Sequence, residues 1–212
     1  MPKELKELAK NRRTEEYKQV AVYIARIEHF AVGVNHGVYD VDTGKLMEIR
    51  EGSLTAVELT EIVKGQKGKA GELTGKIDLQ EKFAHIRENT EAGIFGSTDT
   101  TVFDGKALPV ASMKEIKKGA AVMLSDLEGD GVKAYAIEIE SIRKNGGKDH
   151  KDMTIRITDE RLLKLAGGIV QGTSGSPILQ DGKFVGAVTH VMLHQPEKGY
   201  GICMENMRYP ES

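Results

Sequence analysis

The sequence predicts a mainly β fold, two small barrels or a sandwich with a few short helices. Three observations carry that reading. Short apolar stretches alternate with polar residues at period two, as half-buried strands do. Glycine is abundant, 24 of 212 residues, against an average of roughly 7%, and it falls between those stretches, where tight turns would lie. Strand–helix–strand alternation, internal repeats and heptads are all missing, which argues against a parallel sheet or a coiled coil.

The elements follow in order. Residues 1–19 are charged and carry Leu5 and Leu8 at helical spacing, so they read as a helical lead-in or a linker remnant ahead of a domain spanning 20–212. Val20–Ile27, Lys45–Arg50 and Leu54–Val63 are rich in β-branched residues and read as strands. Gly65–Gly75 contains four glycines and reads as a turn. Leu79–Asn89 reads as a helical excursion, because Phe83 and Ile86 share one helical face. Gly93–Ser97 and Ala120–Leu124 are short and apolar, and Glu128-Gly129-Asp130-Gly131 is a hairpin-type turn.

The second half alternates more cleanly. Tyr135, Ile137 and Ile139 stand opposite Glu138 and Glu140, and Asn145-Gly146-Gly147 closes that strand. Met153, Ile155 and Ile157 alternate with Thr154, Arg156 and Thr158. Thr158 reads as the N-cap of a short helix running to about Leu165, stopped by Gly167-Gly168. Pro177–Leu179, the Asp181-Gly182 turn and Phe184–Val191 make a hairpin, and Gly201–Met204 is a last strand.

Composition narrows the function. The formal net charge of −2 offers no electrostatic case for nucleic acid. A single cysteine, Cys203, excludes an intrachain disulfide framework and a four-cysteine zinc site. No apolar run reaches the roughly 18 residues of a membrane helix, and the charged N-terminus lacks a signal-peptide core, so the chain reads as cytosolic or as a piece of something longer.

The segment Gly172-Thr173-Ser174-Gly175-Ser176-Pro177 carries the chemistry. A serine on such a glycine turn can be approached closely, and the turn aims the amides of Gly172 and Ser174 at one point, as an oxyanion hole requires. A hydroxyl is a weak nucleophile without a base. The candidate base lies upstream, in Val34-Asn35-His36-Gly37-Val38. A nucleophile turn followed by a hairpin ending in Gly186-Ala187-Val188-Thr189-His190 is the second-barrel layout of chymotrypsin-like proteases. There the later strand binds substrate backbone, which makes Thr189, His190 and Val191 candidates for substrate binding, together with Lys198–Cys203. Gly167–Gln171 would border the specificity pocket, and its small residues suit an uncharged substrate side chain.

Other patterns fail. His190 and His194 are four apart but lie in or just after a strand pattern, with no carboxylate between them to complete a metal motif. The run from Asp126 to Gly131 starts like a calcium loop, but its twelfth position is Ile137 rather than Glu. Asp40 and Asp42 read as a solvated turn, and Cys203 as a small apolar packing residue.

The chain strongly resembles the stage IV sporulation protein B serine peptidases of endospore-forming bacteria. The resemblance rests on residues 35–46 around His36, on Ala92-Gly93-Ile94-Phe95-Gly96, on residues 167–178 around Ser174, and on residues 186–191 and 198–202. It covers roughly residues 20 to 208. It implies a chymotrypsin-like double β-barrel and a Ser-His-Asp mechanism without a cofactor, with Ser174 the nucleophile, His36 the base and Asp159 the orienting carboxylate. Asp159 also reads as an acidic residue in the first turn of a helix, and Asp99 or Asp104 stand as alternatives for the orienting role. The resemblance further implies cleavage of a membrane-bound regulator of a sporulation protease complex, self-cleavage, and action between the forespore and mother-cell membranes. The family's N-terminal membrane segment and PDZ domain are not seen here, so membrane association is expected only through a missing N-terminal segment. Asn35 and Thr173 stand where the family commonly has Gly and Met. A non-catalytic module that binds another protease or a peptide is the alternative function.

Overall fold

The computed structural model describes residues 5–10, 17–27, 30–34, 52–90, 92–98, 108–128, 131–143 and 149–207. Its first half is a six-stranded antiparallel sheet in the order β3-β2-β1-β4-β5-β6. The strands are β1 (Leu5–Lys10), β2 (Tyr17–Ile27), β3 (Phe30–Val34), β4 (Gly52–Val63), β5 (Glu72–Thr90) and β6 (Gly93–Thr98). The two outer strands, β3 and β6, approach each other, so the sheet curls round on itself. The second half is a closed six-stranded barrel in the order β10-β11-β12-β9-β8-β7. It comprises β7 (Gly119–Ser125), β8 (Lys133–Ile142), β9 (Met153–Ile157), helix α1 (Glu160–Ala166), β10 (Pro177–Gln180), β11 (Lys183–Met192) and β12 (Gln195–Cys203).

Period-two alternation builds the barrel. Tyr135, Ile137 and Ile139 on β8 and Met153, Ile155 and Ile157 on β9 are all buried, and their neighbours face outward. A one-residue slip would turn every one of these side chains into water, so the register is strongly specified. The outward face is charged and cross-paired. Arg156 reaches Glu138 and, at 3.1 Å, Glu140, which also takes Lys198 at 2.9 Å. Between β10 and β11, Asp181 and Gly182 have φ of 52° and 76°, the conformation of a two-residue turn whose twist matches the strands.

Two expected helices are strands. The Leu5/Leu8 segment is β1, paired on one side with β2 and on the other with β4, so the lead-in is an interior strand of the sheet. A helix this short is marginal alone, whereas an interior strand satisfies its backbone on both edges. The Leu79–Asn89 segment lies within β5, paired with β4 and β6. There Ala84 and Ile86 are buried while His85 and Arg87 are exposed, a strand alternation that the Phe83/Ile86 spacing disguised. The strand expected at Lys45–Arg50 and the turn at Asn145-Gly146-Gly147 lie outside the described residues.

Helix α1 has its N-cap one residue later than expected, at Asp159 rather than Thr158. It ends at Gly167, whose φ of 74° lets its amide turn back to the Leu163 carbonyl at 2.9 Å. At the other end of β9, just before it, Asp152 is fully buried. One of its carboxylate oxygens accepts the Cys203 amide at 2.8 Å, while the other has no hydrogen-bond partner among the described residues.

Candidate active site

The nucleophile turn sits between α1 and β10, at the end of the barrel that meets the β4–β5 hairpin. Gly172 has a φ of 98° and Gly175 a φ of 92°, so glycine is required at both positions flanking Thr173 and Ser174. Thr173 is buried and ties the turn to itself. Its hydroxyl and its amide both donate to the Val170 carbonyl, at 2.7 and 3.2 Å. Gly175 donates to Val188, and Val188 donates to Ser176, which stitches the turn onto β11. The amides of Gly172 and Ser174 donate to no backbone carbonyl among the described residues. Two N–H groups left free of backbone carbonyls among the described residues, with one residue between them on a tight turn, are what an oxyanion hole needs.

Ser174 is half-buried, and its hydroxyl donates to the Thr189 carbonyl at 2.8 Å. Thr189, His190 and Val191 all lie on β11. On one side His190 pairs with Tyr200 and Val191 with Gly199. On the other side β10 pairs only as far as Ala187, so from Thr189 onward the edge nearest Ser174 carries no strand among the described residues. An extended peptide could add there by backbone pairing. Gly167–Gln171 runs between the start of β12 and the β4–β5 hairpin. Ile169 and Val170 are each 2% exposed, and the Ile169 amide donates to Pro196 at 2.8 Å. The Lys198–Cys203 segment is β12 itself, which backs β11. His190 lies on a strand and His194 in the turn that follows, so they do not share a helical face.

Asp159 is 9% exposed and receives five hydrogen bonds. One carboxylate oxygen takes the Arg161 amide at 2.9 Å, the Arg161 Nε at 3.1 Å and the Leu162 amide at 3.3 Å. The other takes the Ala136 amide at 3.2 Å and an Arg161 guanidinium nitrogen at 2.8 Å. The Arg161 side chain and these backbone amides hold its carboxyl well below the usual carboxylate range, although burial opposes them. A carboxylate offers about four lone-pair sites, and here they are filled. His36, Asn35, Asp40, Asp42, Asp99 and Asp104 lie outside the described residues. Cys203 is fully buried in β12, and burial pushes its thiol up to about 12, so it is no nucleophile at neutral pH.

One contributor to the site is invisible in local sequence. Leu73, on β5, packs against Gly172. A Cβ placed on Gly172 would lie 3.0 Å from the Leu73 Cβ and 3.3 Å from its Cδ1. No motif marks it. A buried apolar residue just after a glycine turn was its only signal.

A closed antiparallel barrel bearing a glycine-flanked serine on a tight turn beside its β10–β11 hairpin defines a chymotrypsin-like serine peptidase fold. Solved structures share it. The inactive form of the Rv3671c protease aligns with a TM-score of 0.51 at 14% identity, over 96% of this chain and 84% of that one. The active form of the same protease, from M. tuberculosis, aligns with a TM-score of 0.52 at 15% identity, over 97% and 77%. Among curated proteins, none matches the chain. Residues 20–208 match the family SpoIVB peptidase S55, and the chain belongs to that family of serine peptidases.

Proposed function

We propose that this chain is a serine endopeptidase in which Ser174 attacks and His36 serves as the base. The observation that carries the reading is the turn at Gly172–Gly175, whose serine hydroxyl lies 2.8 Å from the Thr189 carbonyl and whose Gly172 and Ser174 amides donate to no backbone carbonyl among the described residues. A protein substrate docks in extended form along Thr189–Val191, and β12 supports that edge from behind. The Ser174 hydroxyl leaves the Thr189 carbonyl, passes its proton to His36, and its oxygen bonds to the scissile carbonyl carbon. The amides of Gly172 and Ser174 hold the oxyanion. His36 returns the proton to the leaving amine, and water then releases the acyl group by the same path. The small residues Gly167 and Gly168 favour an uncharged side chain next to the cleaved bond.

The filled oxygens of Asp159 bear on the third role. They favour the alternatives Asp99 or Asp104 as the carboxylate that orients His36, and leave Asp159 as the cap of α1. Asparagine caps a helix about as well as aspartate, but an Asp→Asn change in a triad costs about 10⁴ in kcat. Asp159→Asn therefore keeps kcat within tenfold. Its effect is on acid stability. The depressed carboxyl stabilises the fold fully above the unfolded pKa of about 3.9 and loses that contribution as pH falls through the folded value. Melting temperature against pH should fall less steeply below about pH 4 in the variant. A 10⁴-fold loss of kcat would instead place Asp159 on His36.

Membership of the SpoIVB family supports a role in signalling between compartments during sporulation. The substrate would be a membrane-bound regulator of a sporulation protease complex, cleaved between the forespore and mother-cell membranes, and the enzyme would also cleave itself. Among the described residues no helix is long and apolar enough to cross a membrane. Labelling with a fluorophosphonate probe tests the chemistry. The unmodified chain should label at Ser174, and Ser174→Ala and His36→Ala should fold without labelling. Mass spectrometry of the incubated protein then tests self-cleavage, which Ser174→Ala should abolish.

A further inference from the structure

We propose that the hairpin between β4 and β5 is a strap that sets the oxyanion loop, and that Leu73 is a positioning residue for the Gly172 amide. The inference rests on Ser174 being the nucleophile. Four backbone hydrogen bonds join the hairpin to the barrel. Gly65 donates to the Ala166 carbonyl at the end of α1 (2.9 Å), and Gly68 donates to Leu193 in the β11–β12 turn (2.7 Å). Gln171, directly before Gly172, is held from both its backbone groups: its amide donates to Gly71 (2.8 Å) and its carbonyl accepts from Leu73 (2.9 Å). The strap thus grips the residue just before the Gly167–Gln171 segment and its last residue.

The Leu73 side chain completes the hold. It is 1% exposed and belongs to the hydrophobic core of the barrel, although its strand belongs to the other sheet. It covers the α-carbon of Gly172, at the residue whose φ of 98° points one of the two oxyanion amides. The hairpin is itself tightly closed, because Gly71 passes so near Gly65 and Val63 that a Cβ there would collide with their backbone. The loop before Ser174 lies outside helix and strand, so its rigidity comes from Thr173 on one side and this strap on the other. Donors aimed in advance at the oxyanion contribute far more than donors that must reorganise.

Removing Leu73 leaves every reacting group in place but loosens the Gly172 amide. With the full chain and a fluorophosphonate probe, Leu73→Ala should lower the maximal labelling rate about 10- to 100-fold, up to the loss of one oxyanion donor, while the probe concentration giving half-maximal rate stays unchanged. Leu73→Met should restore most of the rate. Ile139→Ala, an equally buried truncation in the barrel, should lower the melting temperature without slowing labelling. If Leu73→Ala does not fold, Leu73→Val carries the same comparison. A maximal rate within twofold of the unmodified chain, or an equal loss in Ile139→Ala, overturns the strap. Failure of the unmodified chain to label at Ser174 overturns the reading of the nucleophile, and the strap with it.

Discussion

Replacing Ser174 with alanine lowers turnover by about six orders of magnitude. The reason is that the acyl-enzyme route disappears, and only binding and the oxyanion amides remain to assist water. Those residual groups still give about 10³–10⁴ over the uncatalysed reaction. His36→Ala should cost about as much, since a serine without a base is nearly as ineffective as no serine. The double variant should cost no more than either single one, because the two residues act as a unit. Steady-state hydrolysis of an unstructured protein substrate, with folding checked by circular dichroism, measures all three. Additive losses would mean that the two residues do not share one step. A loss of tenfold or less in Ser174→Ala would place the nucleophile elsewhere.

Gly172→Ala should be the next most damaging change. The backbone at this position has a φ of 98°, which L-residues with a Cβ rarely adopt. The added methyl would also lie 3.0 Å from the Leu73 Cβ, which is itself buried in the core and cannot swing away. Relief comes by turning the peptide, and that takes the Gly172 amide off the oxyanion. Loss of one such donor costs about 10²–10³ in kcat. The KM should change little, because the substrate strand docks on β11 rather than on this turn. A kcat within threefold of the parent would show that the Gly172 amide does not face the reaction.

The barrel was legible in the sequence because β8 and β9 each bury one face. Tyr135/Ile137/Ile139 and Met153/Ile155/Ile157 declare their period over several residues, and no helix satisfies it. The first sheet was less so. Leu5/Leu8 and Phe83/Ile86 are three apart, a spacing that a helix uses and a strand can also carry. What decides between them is pairing with partners far along the chain: β1 lies between β2 and β4, and β5 between β4 and β6. The nucleophile turn was legible for the opposite reason, since its glycines and serine are contiguous and their backbone demands are local. Leu73 was not, because its meaning arises only where one half of the fold lies against the other. Asp159 stands between these cases. Its acidity at a helix start was visible, but one of the bonds to its second oxygen comes from Ala136 on β8.

Cys203 gives the protein an internal clock. It is the only thiol in the chain, it is fully buried in β12, and its acidity is suppressed to a pKa of about 12. A thiol reagent in the surrounding solution meets nothing to react with while the barrel is closed. It reacts only in the moments when β12 separates from its neighbours, so the rate of modification counts barrel openings. The same burial keeps the thiol out of contact with oxidants and reductants in solution while the barrel is closed.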